Sequence, residues 1–473
     1  MSDAEISTEN SAERKPALPM MARLSYQREI LSWWFVPLML SGLQGGTIAV
    51  FLKKTYAGLE GISTEQLDLA VSIVAASKAI GHIVSYAWAS VSRGQRKIQF
   101  IFWLQLFTAV VVAAFALVPR SSGGLWMIVA LCVMAWTLWC GVITLRTGVW
   151  SANYAKAHRP RIAGRIMTID ALLVALAGVL IGFGLDINPM SYRIIFPLLA
   201  MFGVVGAILY RRIPFRRESQ HIARERKANA KHGSSLSPMV VARVLRGDSW
   251  YRGYMACMFT MGFGNLMLHP ILAIALTDQF DVGYQTGILI TTVIPLVCLT
   301  LTISSWGRRL ERMHVIEFRA LHAWSFVVVS TLVLIGVAFH QIAFLYLAAV
   351  ATGVGWGGGA LAWNLGHQHF APPNRDAEYM GVHITLTGIR GVIGPIVGVQ
   401  LYTVLSRYGW QQHALLLCFA VCLLMNILGA SGFVWLAAAR RHEKRRSRDQ
   451  ESAVDTAGKA KDEANEKLVA AAD

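Results

Sequence analysis

Two polar stripes interrupt an otherwise apolar chain. Lys78, His82 and Ser85 are spaced 0, 4 and 7, and His383, Thr387, Arg390 and Gly394 are spaced 0, 4, 7 and 11. Each set therefore shares one face of a helix. Lys78 and Arg390 each fall eleven residues into an apolar run, roughly 16 Å deep by helical rise and so near the middle of a bilayer. A cation at that depth faces a wet cavity or the protein interior. No Asp or Glu is expected in the middle of any apolar run, so the missing counter-charge is read as an anionic substrate, with Arg390 and Lys78 as its contacts. The alternative is that both cations bond to carbonyls or hydroxyls and hold one conformation. Histidine titrates near neutrality, which makes His82, His269 and His383 candidates for carrying a proton.

Other residues add to this set. Trp136, Trp139, Ile143 and Arg146 share a helix face, with Trp356 and Trp363 as counterparts in the second half. Such aromatic walls suit an organic-ligand pocket and serve equally as packing or interface anchors. Arg146, near a helix end, is expected to snorkel. Asn265 and His269 precede Pro270 by five residues and one; the missing proline N–H predicts a kink that water reaches. Gln44, before Gly45 and Gly46, and Asn364, after a run of glycines, are further candidates for substrate contact. Asp170 is expected about four residues into its helix, roughly 6 Å, pairing structurally with loops or coupling to protons. Glu317 and Arg319 are read as structural partners of the loops. His367 and His369 lack the third ligand of a metal site.

The elements that must carry these residues are membrane helices. The chain has 473 residues, 55% hydrophobic and 15% charged, with mean hydropathy +0.47, which excludes an ordinary soluble protein of this length. Its six cysteines lie in apolar runs without CxxC or zinc spacing. The first apolar run is too long for a signal peptide. Twelve runs of about 20 apolar residues predict an all-α membrane protein of two six-helix bundles. Residues 1–30 form an N-terminal tail, 31–212 the first bundle, 213–249 a basic linker, 250–438 the second bundle, and 439–473 a tail that is disordered or partly helical. Within the linker, 238–246 is read as an amphipathic helix or as solvated chain. Apart from four within helices (Lys78, Arg146, Arg319, Arg390), only Lys53, Lys54, Arg120, Arg193 and Arg407 of the 44 basic residues fall opposite the two tails. The rest share the side of the tails, which predicts both termini in the cytoplasm and a multi-pass protein of the inner or plasma membrane. The formal charge of +17 is then met by an anionic inner leaflet, with no nucleic acid. An offset of 217 residues carries Trp139 onto Trp356, and Arg161-Ile-Ala-Gly164 onto Glu378-Tyr-Met-Gly381, so the bundles are pseudo-symmetric repeats.

From Leu31 to Ala438 the chain resembles the major facilitator superfamily. Gly94-Gln-Arg96-Lys97 matches the end of that family's 2-3 loop signature, while Ala87 and Val91 replace its Gly and Asp. Gly307-Arg-Arg309 is a shorter relic after helix eight, and Arg161-Ile-Ala-Gly164-Arg165 is similar to the stretch after helix four. The fifth-helix antiporter signature is missing; only Gly391-x-x-Gly394-Pro395-x-x-Gly398 in helix eleven is like it. The resemblance implies that helices one, four, seven and ten line a cavity and two, five, eight and eleven form the seam, bringing the stripes together. Two halves rocking about a midplane site would give alternating access.

These observations predict a monomeric secondary transporter of a small organic anion, without cofactor and with coupling to a proton gradient open to the histidines. An exporter of amphipathic compounds and a non-transporting sensor or scaffold are the alternatives. An enzyme is not expected, because no nucleophile–base pair, metal cluster or phosphate loop is visible.

Overall fold

The computed structural model describes residues 20–155, 158–229, 238–372 and 375–470. Among them there is no strand, and eleven helices are long and apolar enough to cross a membrane. The first span completes twelve crossings but is broken into Met20–Trp33, Val36–Ser41 and Gly45–Tyr56. Pro37 sits in the first turn of the middle piece, and Gln44 is extended before the last. The break explains why length and hydropathy alone find one span fewer. The helix begins at Met20, so the expected tail of 1–30 is corrected over its second part: Ser25 and Glu29 are buried in the bundle.

Spans two to six are Thr64–Val91, Lys97–Ala114, Ser122–Asn153, Arg159–Ile187 and Tyr192–Arg211. The linker is helical at Glu218–Asn229 and Pro238–Gly247. In the second of these, Val244 is buried while Arg243 and Arg246 are exposed, as an interfacial helix requires. The first is fastened under the 2-3 loop, where the Glu225 carboxylate accepts from the Gly94 amide at 2.8 Å and lies 3.0 Å from Lys97 Nζ. Spans seven to twelve follow from Ser249–Ile274 through Tyr284–Leu310, Val315–Ala338, Ile342–His369 and Asp376–Leu405 to Ala414–Ala470. Span seven runs through Pro270 as helix, and its irregular turn is Ala275–Gln279. The last helix continues to Ala470, so of the two states expected for the tail, disordered or partly helical, the helical one holds over 439–470.

The halves meet along spans two with eleven and five with eight. Close approach requires small residues. A Cβ on Gly391 would lie 2.6 Å from that of Ala79, and one on Gly182 would lie 2.7 Å from the Gln285 Cα. Span one also crosses the divide, since Thr47 and Thr292 hydroxyls are 3.2 Å apart and those of Thr55 and Tyr284 are 3.1 Å apart.

The end opposite the termini is tied shut by charge. Lys53, only 2% exposed, pairs with Asp68 of its own half at 2.5 Å and with Asp278 of the other at 2.6 Å. Arg407 reaches Glu65 at 2.6 Å, and Lys54 lies 3.6 Å from Asp281. The Asp186 carboxylate accepts from the amides of Tyr284 and Gln285 at 2.7 and 2.9 Å, capping span eight from the other half. Hydrogen bonds to charged groups contribute about 1.5–3 kcal/mol. Asp278→Asn should therefore raise the labelling rate of a cysteine placed at Thr292 by roughly tenfold or more, with Lys53 still held by Asp68. An unchanged rate would show that the pair does not keep this end closed.

Candidate functional site

Lys78 stands midway along span two and is exposed, with its ammonium 5.3 Å from the centre of the Trp136 ring. No described carboxylate lies within ion-pair distance of it. A cation over an indole face is attracted by the ring quadrupole but not neutralised. His82, one turn on, lies 3.8 Å from Cys140 Sγ through Nδ1, and the side chain of Ser85 lies outside the described residues.

Asp170 of span five is half-buried and lies in the electrostatic field of Lys78 and Arg146. It lies on helix five, Arg159–Ile187, eleven residues beyond Arg159. Helix five itself starts at Arg159, seven residues before the apolar run that hydropathy singled out.

Arg146 does not snorkel. Its Nε donates to Glu29 at 2.8 Å, and the same carboxylate, 1% exposed, accepts from Trp150 Nε1 at 2.6 Å and Tyr154 OH at 2.8 Å. The guanidinium is sandwiched 3.7 Å from the Trp33 ring centre and 4.5 Å from that of Trp150. The expected tryptophan wall is covered from span one: Trp139 packs 6.2 Å from Trp33, and Trp136 donates to the Leu43 carbonyl at 3.1 Å. Gln44 is half-buried just beyond this contact.

In the second half Arg390 is 7% exposed and turned into its own bundle, donating to the Met258 carbonyl of span seven and to Thr387 Oγ1 at 3.4 Å. Trp363 Nε1 reaches the same hydroxyl at 3.4 Å, and the Trp363 ring stands 5.4 Å from that of His383. The stripes thus do not meet. Spans two and eleven touch through Ala79 and Gly391, which turns the faces bearing Lys78 and Arg390 away from each other. His269 and Trp356 face one another at 5.6 Å, Asn265 is half-buried, and Asn364 is exposed with its amide bonded to the Ala360 carbonyl at 2.8 Å.

The halves part at the termini end around a cleft of about 630 Å³. Ile30, Trp34, Arg165 and Ile169 line one wall, and Ser304 and Arg308 belong to the other. None of the residues nominated from sequence lines it, although Asp170 directly follows Thr168 and Ile169, which do. The missed residues had a signal: Arg165 and Arg308 belong to the basic relics after helices four and eight. Glu29→Gln would leave the Arg146 guanidinium without its counter-charge. Breaking a buried pair in this way costs about 3–5 kcal/mol, so the melting temperature in detergent should fall clearly. Adding Arg146→Met should recover most of the loss, and an undisturbed melting temperature in Glu29→Gln would contradict the pairing.

With the geometry established, similarity to known proteins is informative. The chain matches the family model described as Major Facilitator Superfamily over residues 35–395. No curated protein sequence matches it significantly. Among solved structures, the nucleoside transporter NupG aligns with 14% identity and TM-score 0.60, covering 87% of this chain and 99% of its own. A bacterial homologue of the iron transporter ferroportin in its inward-facing state gives 15%, 0.60, 88% and 98%. A D-xylose–proton symporter gives 11%, 0.65, 87% and 96%. These identities establish a shared fold and leave the substrate open. With twelve spans in two halves, a seam of spans two, five, eight and eleven, and a family match over most of its length, the chain belongs to the Major Facilitator Superfamily.

Proposed function

We propose that this transporter moves a small organic anion by alternating access, with Lys78 as the contact for the substrate's negative group. The observation that carries the reading is the state of Lys78: exposed at mid-depth, seated on Trp136, and out of ion-pair distance of every described carboxylate. The other deep cations are occupied differently, Arg146 by Glu29 and Arg390 by the Met258 carbonyl. Arg390 accordingly joins spans seven and eleven rather than meeting the substrate. The basic residues at the termini end support placing that end in the cytoplasm. The open cleft then faces inward, and the Lys53 ion pairs close the outer side.

Asp170 is the proposed coupling group, since it shares the field of Lys78 and lies beside the cleft. Its carboxylate and the ammonium attract one another in the absence of substrate. A bound anion competes for the ammonium and favours protonation of the acid, the exchange that proton–anion symport requires. Asp170→Asn should therefore abolish uptake driven by a pH gradient while preserving exchange of labelled for unlabelled substrate. Gradient-driven uptake that survived this change would return the role to His82, His269 or His383.

A second reading, export of amphipathic compounds, is favoured by the apolar side chains of the cleft, among them Ile30, Trp34, Ile303 and Leu361. Thermal unfolding against matched anions, zwitterions and lipophilic cations separates the two. A ligand at 100 times its Kd stabilises the native state by about 2.7 kcal/mol. Anions should stabilise the wild type and fail to stabilise Lys78→Gln. Stabilisation by lipophilic cations that ignored the substitution would favour export and overturn the anion reading.

A further inference from the structure

Arg319, expected to pair with the loops, is instead 2% exposed and donates to His322 Nδ1 at 3.2 Å within its own bundle. Two exposed arginines at the termini end stand differently. Arg96 immediately precedes span three, and Arg226 lies on the linker helix Glu218–Asn229. Both line a second cavity, of about 740 Å³, between that helix and the start of the span. Its described lining holds these two guanidinium groups, the side-chain amides of Gln95 and Gln99, and no carboxylate.

Gly94 fixes one edge of the cavity. At φ +70° it occupies the left-handed region that suits glycine, and both of its backbone groups meet the linker helix. Its amide donates to the Glu225 carboxylate at 2.8 Å, while its carbonyl accepts from Arg226 Nη2 at 3.3 Å. Lys97 Nζ lies 3.0 Å from the same carboxylate. Glu225 is thereby taken up outside the cavity, and Arg226 is positioned beside it.

The face of span three on which the cavity opens limits what it holds. Gln99, Trp103, Phe107 and Val110 recur every three or four residues, so they share one side of the helix. All four are exposed, Trp103 at 47%, Phe107 at 54% and Val110 at 59%. This face is polar next to the loop and apolar below it. Trp103 belongs to both parts: it lines the cavity, and its ring stands 6.1 Å from that of Phe107. Tryptophan at the end of a span sits at headgroup depth. Guanidinium groups match the oxygens of a phosphate in paired hydrogen bonds, and basic pockets at this level take anionic headgroups. A ligand following this face needs an anionic head and an apolar chain.

We propose that this cavity binds the headgroup of an anionic glycerophospholipid from the leaflet around the termini end. Arg96 and Arg226 hold the phosphodiester, and an acyl chain runs over Trp103 and Phe107. The bound lipid ties the linker helix to the start of span three. The site is separate from Lys78 and does not depend on the transported solute being an anion.

The test uses the purified full chain, delipidated in detergent, and native mass spectrometry with phosphatidylglycerol, phosphatidylcholine of the same acyl chains, or glycerol phosphate. Phosphatidylglycerol should bind roughly tenfold tighter than either, and Arg96→Gln or Arg226→Gln should each cost a similar factor. Arg246→Gln, at an exposed arginine on the other linker helix, should bind as the wild type does. Phosphatidylglycerol with a photoreactive acyl chain should label the wild-type peptide that carries Trp103 and Phe107, a readout that needs no variant. Equal affinity for the two lipids, or an equal loss in Arg246→Gln, would overturn the proposal in favour of unselective attraction. Equal affinity for glycerol phosphate would make it a site for free phosphate compounds, and labelling that spared that peptide would place the lipid elsewhere; either result would overturn it as well.

Discussion

An ionised side chain inside hydrocarbon must find an opposite charge, a strong neutral acceptor or water, and the rest of this structure is arranged around that requirement. Lys53 finds two carboxylates, Arg146 finds Glu29 between two indoles, and Arg390 finds a backbone carbonyl. Lys78 finds only an aromatic face and open space. Burying a charge with its partner is close to neutral, whereas burying it alone is costly. The exposure of Lys78 is therefore the informative departure, and it is the ground for proposing Lys78 as the substrate contact.

The same requirement decides which end of the molecule is closed. Lys53 belongs to the first half and shares its ammonium between Asp68 at home and Asp278 across the divide. Separation of the halves leaves it still paired with Asp68, so the latch opens without stranding a buried charge. Close approach at Gly182 and Gly391 lets the seams slide and rock over short contacts. A latch with a resident partner and a seam of small residues are what a protein needs to exchange two conformations of similar free energy.

Much of the fold was legible in the sequence, because apolar runs of membrane length and the basic asymmetry survive any detail of packing. The broken first span was less so. Glu29 stands before the first apolar run and reads as tail, yet the helix begins at Met20 and carries it into the bundle. Helical spacing correctly grouped Lys78 with His82 and His383 with Arg390. It gave no rotation of either helix about its axis, and Ala79 against Gly391 turns the two stripes apart. Partners distant in sequence, such as Lys53 with Asp278, leave no local signature at all.

The central proposal is that Lys78, an exposed cation out of ion-pair distance of every described carboxylate, is reached from the cytoplasmic side, while Lys53 is sealed at the other end. Modification by a water-soluble, membrane-impermeant amine reagent, read by mass spectrometry in inside-out and right-side-out vesicles, tests it directly. Lys78 should react in inside-out vesicles and be protected in right-side-out ones, with Lys53 resistant in both. A Lys78 that stayed unreactive from the cytoplasmic face, or reacted equally from both, would contradict the account.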